Sequence, residues 1–148
     1  MNVYGEWWDD TITLYNKFTD EVTHKETWYR TVIENAFYHH EAVKMSIGQA
    51  IIKSDSSICR IRVDDRFVDK RTWNTMSDEE KQEHFTLSTG DIIVAGEVDD
   101  YIDEYEKLHR SSDLTKKYKD WPGCFNIEQV SINVGGGRGN EHYYARGV

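Results

Sequence analysis

The chain has 148 residues, enough for one hydrophobic core and too few for two ordinary domains with a linker. Charged residues make up 30% against 38% hydrophobic, yet 13% are aromatic, and that much large apolar side chain sets wholesale disorder aside. A net charge of −9 disfavours a sequence-independent grip on nucleic acid, which needs many lysines and arginines.

The first twenty residues carry Trp7-Trp8-Asp9-Asp10 and no apolar run, so neither a secretory signal nor a membrane anchor is expected there. No window reaches the ~18 consecutive apolar residues of a spanning helix, which predicts a protein without a membrane association. Two tryptophans ahead of the first strand either plug the end of the core or anchor a neighbour. Thr11-Ile12-Thr13-Leu14-Tyr15 alternates apolar and polar residues as a strand does, and Thr27 to Ile33 forms a second such run. The polar stretch between them, Asn16 to Glu26, is long for a hairpin and predicts a projecting loop. Shorter β-branched runs follow at Ala36–Tyr38 and Gln49–Lys53. Ser57 to Val63 has a period of two that sets Cys59, Ile61 and Val63 on one face and Ile58, Arg60 and Arg62 on the other.

Ser77-Asp78-Glu79-Glu80 offers a capping box for a short helix that runs toward Phe85. A turn at Leu87–Asp91 and a strand at Asp91–Glu97 come next. Val98, Ile102, Tyr105 and Leu108 recur at helical spacing, so an amphipathic helix is predicted from Val98 to Arg110, with a second piece from Ser112 to Tyr118. Beyond the Trp121-Pro122-Gly123 turn, Phe125 and Ile127 alternate in one phase and Val130, Ile132 and Val134 in the other; a β-bulge near Glu128-Gln129 would produce that slip. The run from Gly135 to Asn140 turns the chain into a last strand, His142–Arg146. The expected architecture is a single mainly β (α+β) domain over residues 1–148, a small β-barrel or sandwich with one amphipathic helical insertion at about 98–119.

Chemistry is harder to find. The Gly135–Asn140 run lacks the Gly-Lys-Ser/Thr and the following helix of a phosphate-binding loop, and reads as a hairpin tip that displays Arg138. His39 and His40 are adjacent, so on a strand they point to opposite faces and cannot easily share a metal ion. Cys59 and Cys124 sit in apolar strand-like segments and read as buried free thiols, a state that fits a reducing cytoplasm. From Ser77 to Glu106 there are eleven acids and one base, a net −10 that leaves the rest near neutral. This segment reads as a solvated acidic face or as a surface that steers a partner. No catalytic, cofactor-binding or metal-binding residue is assigned.

Trp28-Tyr29-Arg30-Thr31-Val32-Ile33, the run from Gly90 to Asp100, His109-Arg110-Ser111-Ser112-Asp113-Leu114 and the closing run from Glu141 to Val148 resemble a family of small proteins encoded by phages and prophages of gut Firmicutes. The layout of strands with one helical insertion is similar to the head completion proteins of long-tailed phages, especially the stopper between connector and tail. That resemblance implies a non-enzymatic virion protein without cofactor. Made in the host cytoplasm, it would be a monomer in isolation and a homo-oligomeric ring once assembled. Its partners would be the connector or adaptor and tail proteins, with packaged DNA passing nearby. Adaptor and tail terminator are the neighbouring alternatives. Candidate interface residues are Trp7, Trp8, Arg138, Tyr143 and Tyr144, and candidate channel-facing acids are Asp99, Asp100 and Asp103. The Asn16–Glu26 loop and the Gly135–Asn140 tip are the candidate gating elements. A small β-barrel enzyme or ligand-binding module is the rival reading. A barrel that binds single-stranded nucleic acid by stacking bases on Tyr143 and Tyr144 is a third.

Overall fold

The computed structural model describes residues 8–48, 50–134 and 141–148, with the backbone alone for 42–47 and 50–55. In chain order the elements are β1 (Asp10–Thr19), β2 (Glu26–Ile47), β3 (Ala50–Arg62), α1 (Lys70–Asn74), α2 (Asp78–Glu83), β4 (Ile92–Ala95), α3 (Ser111–Tyr118), β5 (Cys124–Asn133) and β6 (His142–Gly147). The strands close into a barrel in the order β1-β2-β3-β6-β5-β4, and each neighbouring pair, including the closing β1–β4 pair, is antiparallel. Alternating directions can close only with an even number of strands, and closure leaves the wall without an open edge. Of the two expected architectures, barrel or sandwich, the small β-barrel is the one found.

Period-two patterning decides what faces the lumen. Ile12 and Leu14 of β1, Cys59 and Ile61 of β3, Phe125 and Ile127 of β5, and Tyr143 and Ala145 of β6 share one buried cluster with Ile33 and Ile93. Side chains fill the interior, as expected of a barrel this narrow. Phe85 and Leu87 join the cluster from the segment after α2, which Phe67 and Phe85 tie down through an isolated parallel bridge. Two sites bend the wall. Asp10 and Ile12 pair with Ala36 and Ile33, so β2 has one residue too many there, and Asn35 takes a φ of 57° to absorb it. On β5 the register slips between Ile127 and Gln129, where the phase change in the sequence places a bulge. Gly147 marks the closest approach in the wall: a Cβ there would lie 1.8 Å from the Asn126 carbonyl oxygen and 2.6 Å from the Phe125 ring.

Four expectations need correction. The β1–β2 connection is short, residues 20–25, because β1 runs on to Thr19; Asp20 Oδ1 accepts the Val22 and Thr23 amides at 2.8 and 2.9 Å and closes the turn. The run at Ala36–Tyr38 and residues 50–53 of the run at Gln49–Lys53 belong to two long strands that pair from Ala36↔Ile61 out to Ile47↔Ala50; Gln49 itself lies outside the described residues. The helix α1, capped by Asp69 and carrying the fully buried Trp73, has no counterpart among the predicted elements. No helix forms from Val98 to Arg110, so the helical part of the insertion is α3 alone. In that stretch the Asp103 amide donates to the His109 carbonyl at 2.7 Å, Asp103 Oδ1 accepts the Tyr105 amide at 2.9 Å, and Leu108 has a φ of 74°. Aspartate competes with a helix by binding nearby backbone, and the supposed apolar stripe is split: Ile102 is buried and Val98 packs beside it, but Tyr105 is 62% and Leu108 75% exposed.

The predicted α2 does form, with the Ser77–Glu80 capping box complete. Cys59 is buried, Cys124 half-buried, and both are free thiols.

Candidate functional site

The two longest strands, β2 and β3, extend beyond the barrel wall. Residues 26–36 of β2 pair with β1, and residues 57–62 of β3 pair with β6; from Glu41↔Ser56 to Ile47↔Ala50 the two strands pair only with each other. This two-stranded ribbon extends seven residues past the wall, about 20 Å at ~3.3 Å per residue. Among the described residues, neither of its outer edges has a neighbouring strand. A ribbon of this kind is open to strand addition by another chain.

At the root of the ribbon lies a cleft of about 400 Å³ lined by Asp9, Asp10, Tyr38, Gly96, Trp121 and Pro122. Trp121 is 83% exposed, a large apolar surface left in water at the edge of two carboxylates. Asp10 is partly committed, since its Oδ2 accepts the Tyr38 amide at 2.9 Å. The Tyr38 hydroxyl is buried with no hydrogen-bond partner among the described residues, and burial pushes its pKa up to about 12.

The acidic connection between β4 and α3 packs on the outside of the barrel. Ile102 and Leu114 cluster there with Tyr15, Ile92 and Val94, the outward-facing residues of β1 and β4. Tyr15 donates its hydroxyl to the Asp100 carbonyl at 2.7 Å, and Thr13 Oγ1 both donates to Gly96 O at 2.8 Å and accepts the Val98 amide at 3.0 Å. The three acids proposed to face a channel divide. Asp100 is clamped by Lys117 Nζ at 2.8 Å and by the Tyr118 hydroxyl. Burial works against its charge, but those two donors outweigh it and hold the carboxyl below its ordinary range. Asp103 is spent on its own loop, as described above. Asp99 projects fully into solvent, and among the described residues its ion-pair partner is Arg30, at 3.5 Å. Two of the three thus hold the connection together, and Asp99 is the one left to present charge.

The candidate interface residues are equally divided. Trp8 is buried, with its ring edge-on to His142 at 5.6 Å between centroids, which is the intramolecular of its two readings. Tyr143 is a core residue stacked on Phe67 at 4.1 Å, so it offers no ring to a partner or a base; its position in strand phase with Ala145 explains why. Tyr144, one residue out of phase, is half-buried on the outer wall beneath the Arg60 guanidinium, 5.4 Å from the ring centroid. Trp7, Arg138 and the Gly135–Asn140 tip lie outside the described residues.

A buried polar cluster has no counterpart in the sequence reading. Asp91, at the start of β4, is 1% exposed; its carboxylate accepts from Asn16 Nδ2, the Lys17 amide, and the Ser88 amide and hydroxyl at 2.8 to 3.2 Å. Burial raises its pKa while these donors and Lys70 oppose the rise. Asn16 also donates to Thr86 O at 2.7 Å, so the pair fastens β1 to the loop before β4. Asn16 looked like part of a solvated loop, and only the extension of β1 to Thr19 takes it inside.

Among the described residues, no group of three or more His, Cys, Asp or Glu side chains is placed to hold a metal ion, and no helix is long and apolar enough to cross a membrane. The chain is a small, closed, all-antiparallel β-barrel protein with a filled lumen, and its exposed features lie on its outer surface and ribbon. Residues 7–148 match the family described as a family of unknown function, DUF6751, and the chain belongs to that family. No curated protein and no solved structure matches it.

Proposed function

We propose that the protein is a phage virion assembly component, a head-to-tail stopper whose copies form a ring between connector and tail and close the DNA channel. The observation that carries this reading is the β2–β3 ribbon, a two-stranded arm about 20 Å long that pairs with no further strand among the described residues. Such an arm can reach across to a neighbouring copy or into a central opening, a role that the short 20–25 turn cannot fill. The resemblance of the sequence to phage and prophage proteins points the same way.

In this reading the protein makes and breaks no bond. It works through surfaces: the ribbon, the exposed Trp121 beside its root, and the acidic connection, whose solvent-facing carboxylates repel DNA phosphates and let the duplex pass without sticking. A ligand-binding module built on the lumen is disfavoured because Ile, Phe and Tyr side chains fill that space. Partners are the connector or adaptor on one side and the tail on the other.

Cryo-electron microscopy of purified virions is the test. The expected result is a ring of this barrel at the neck, together with DNA leakage from particles whose protein has residues 42–55 replaced by a short turn. Virions with no density for the protein at the neck would overturn the placement.

A further inference from the structure

A second cleft, of about 310 Å³, opens beside the Asp91 cluster, where three separate segments meet. Lys17 and Thr19 reach it from β1, Lys70 and Asn74 from α1, and Ser88, Thr89 and Asp91 from the loop that leads into β4. Its charged lining is two lysines, Lys17 and Lys70, and the carboxylate of Asp91. Lys70 and Lys81 stand 4.6 and 5.5 Å from the centroid of the buried Trp73 ring, and Lys81 is itself 4% exposed and 4.0 Å from the Phe18 ring. Lys17 has Glu26 as a partner at 3.1 Å, and Asp91 is the other acid in reach. Lys70 uses one of its three protons on the Lys17 carbonyl at 2.8 Å, which leaves donor capacity over. The hydroxyls of Thr19 and Thr89 and the side-chain amide of Asn74 make no hydrogen bond within the described structure.

We infer that this cleft is a binding site for a phosphate group, held by the Lys17 and Lys70 ammoniums and by the Thr19, Thr89 and Asn74 side chains. The physical reasons lie in the arrangement. Donors converge from three directions, which suits a tetrahedral oxyanion with acceptors on every side better than a planar carboxylate with two. Lys70 has no carboxylate within ion-pair distance among the described residues, and burial pushes its pKa down, with Lys81 and Lys17 adding to the effect and Asp91 opposing it, so an anion in the cleft would favour its charged form. Part of the site is preorganised: Lys70 is fixed on a capped helix against Trp73, and Ser88 is fixed by Asp91. The phosphate can be free in solution or belong to a nucleic acid backbone, and the same donors would serve for either.

Inorganic phosphate titrated into the ¹⁵N-labelled full chain tests the assignment, with chloride at matched ionic strength as control. Saturable shifts of the Asn74, Ser88 and Thr89 amides are expected, with an apparent Kd of about 1 mM. Lys70→Met and Thr89→Val should each weaken that constant, Lys70→Met by about tenfold or more. Should Lys70→Met fail to fold, Thr89→Val, which removes a hydroxyl with no structural partner, gives the answer alone. A short oligothymidylate that displaces phosphate assigns the site to nucleic acid backbone; one that does not assigns it to the free ion. Shifts no larger than those in chloride, or an unchanged titration in Thr89→Val and in any folded Lys70→Met, would overturn the inference. Neither result bears on whether the protein sits at a virion neck.

Discussion

The barrel wall and the connection from Gly96 to Gly123 are held by different physics. In the wall, long-range strand pairing and a period of two place Ile12, Leu14, Ile61, Phe125 and Ile127 in one dry cluster, and burial of apolar area supplies the stability. In the connection only Ile102 and Leu114 are buried outright, and much of its fixed shape comes from side chains bonded to backbone: Thr13 to Gly96 and Val98, Asp103 to Tyr105, Asp113 to the Arg110 amide at 3.1 Å. Hydrophobic pattern is therefore a sound guide to the first region and a poor one to the second.

The sharpest way to break the wall is to fill its tightest point. Gly147→Val should leave no folded protein, because backbone oxygen and a core ring occupy the new side chain's space; far-ultraviolet circular dichroism of the purified variant reads this directly. Phe125→Ala should fold and lose about 3–5 kcal/mol in a denaturant titration, the usual cost of a large cavity in a core.

The connection should respond to charge and leave the wall untouched. Asp100→Asn removes a carboxylate that is 24% exposed and held by two donors, with an expected loss of ~1 kcal/mol. Hydrogen exchange should rise in 96–118 and stay unchanged in β1, β3 and β6; uniform acceleration would show that the two regions are one cooperative unit.

Acid separates the regions further. Asp64, through its bonds from Arg66, and Asp100, through Lys117 and Tyr118, both titrate below the ordinary carboxyl value. Each therefore contributes stability that is present above that ordinary value and lost as pH falls through its lowered folded one. Asp91 has the opposite sign: its pKa is raised, so its contribution is fully present below the ordinary value and lost as pH rises through the folded one. Acidification from neutrality should thus loosen the connection around Asp100 while the Asp91 cluster tightens, a contrast visible in the amide spectra of Lys117 and Ser88. The smallest effect belongs to Trp121→Ala, within ~0.5 kcal/mol of the parent protein in isolation, because an exposed indole contributes nothing to the core; a larger loss would mean that the cleft at the ribbon root is structural.

Much of this fold was legible beforehand. Alternation located strands at 11–15, 27–33, 57–63, 125–134 and 142–146, the phase slip at Glu128-Gln129 located a bulge, and Ser77–Glu80 announced α2, because each signal depends on neighbours within a few residues. Trp121 read only as part of a turn, since nothing local tells whether a turn's indole will be covered.

What the sequence alone determined was the mainly β character, a barrel or sandwich, and the inward-facing phase of most strands, for side-chain alternation is a local property of an extended chain. Tertiary structure alone decided that β2 and β3 outrun the wall as a ribbon, that Asn16 and Asp91 meet in the interior, that Tyr143 is core while Tyr144 is not a free ring, and that Asp100 and Asp103 serve their own loop. Each of those outcomes depends on which distant segments come together, and a carboxylate or an aromatic ring takes its role from the donors and surfaces that closure of the barrel brings to it.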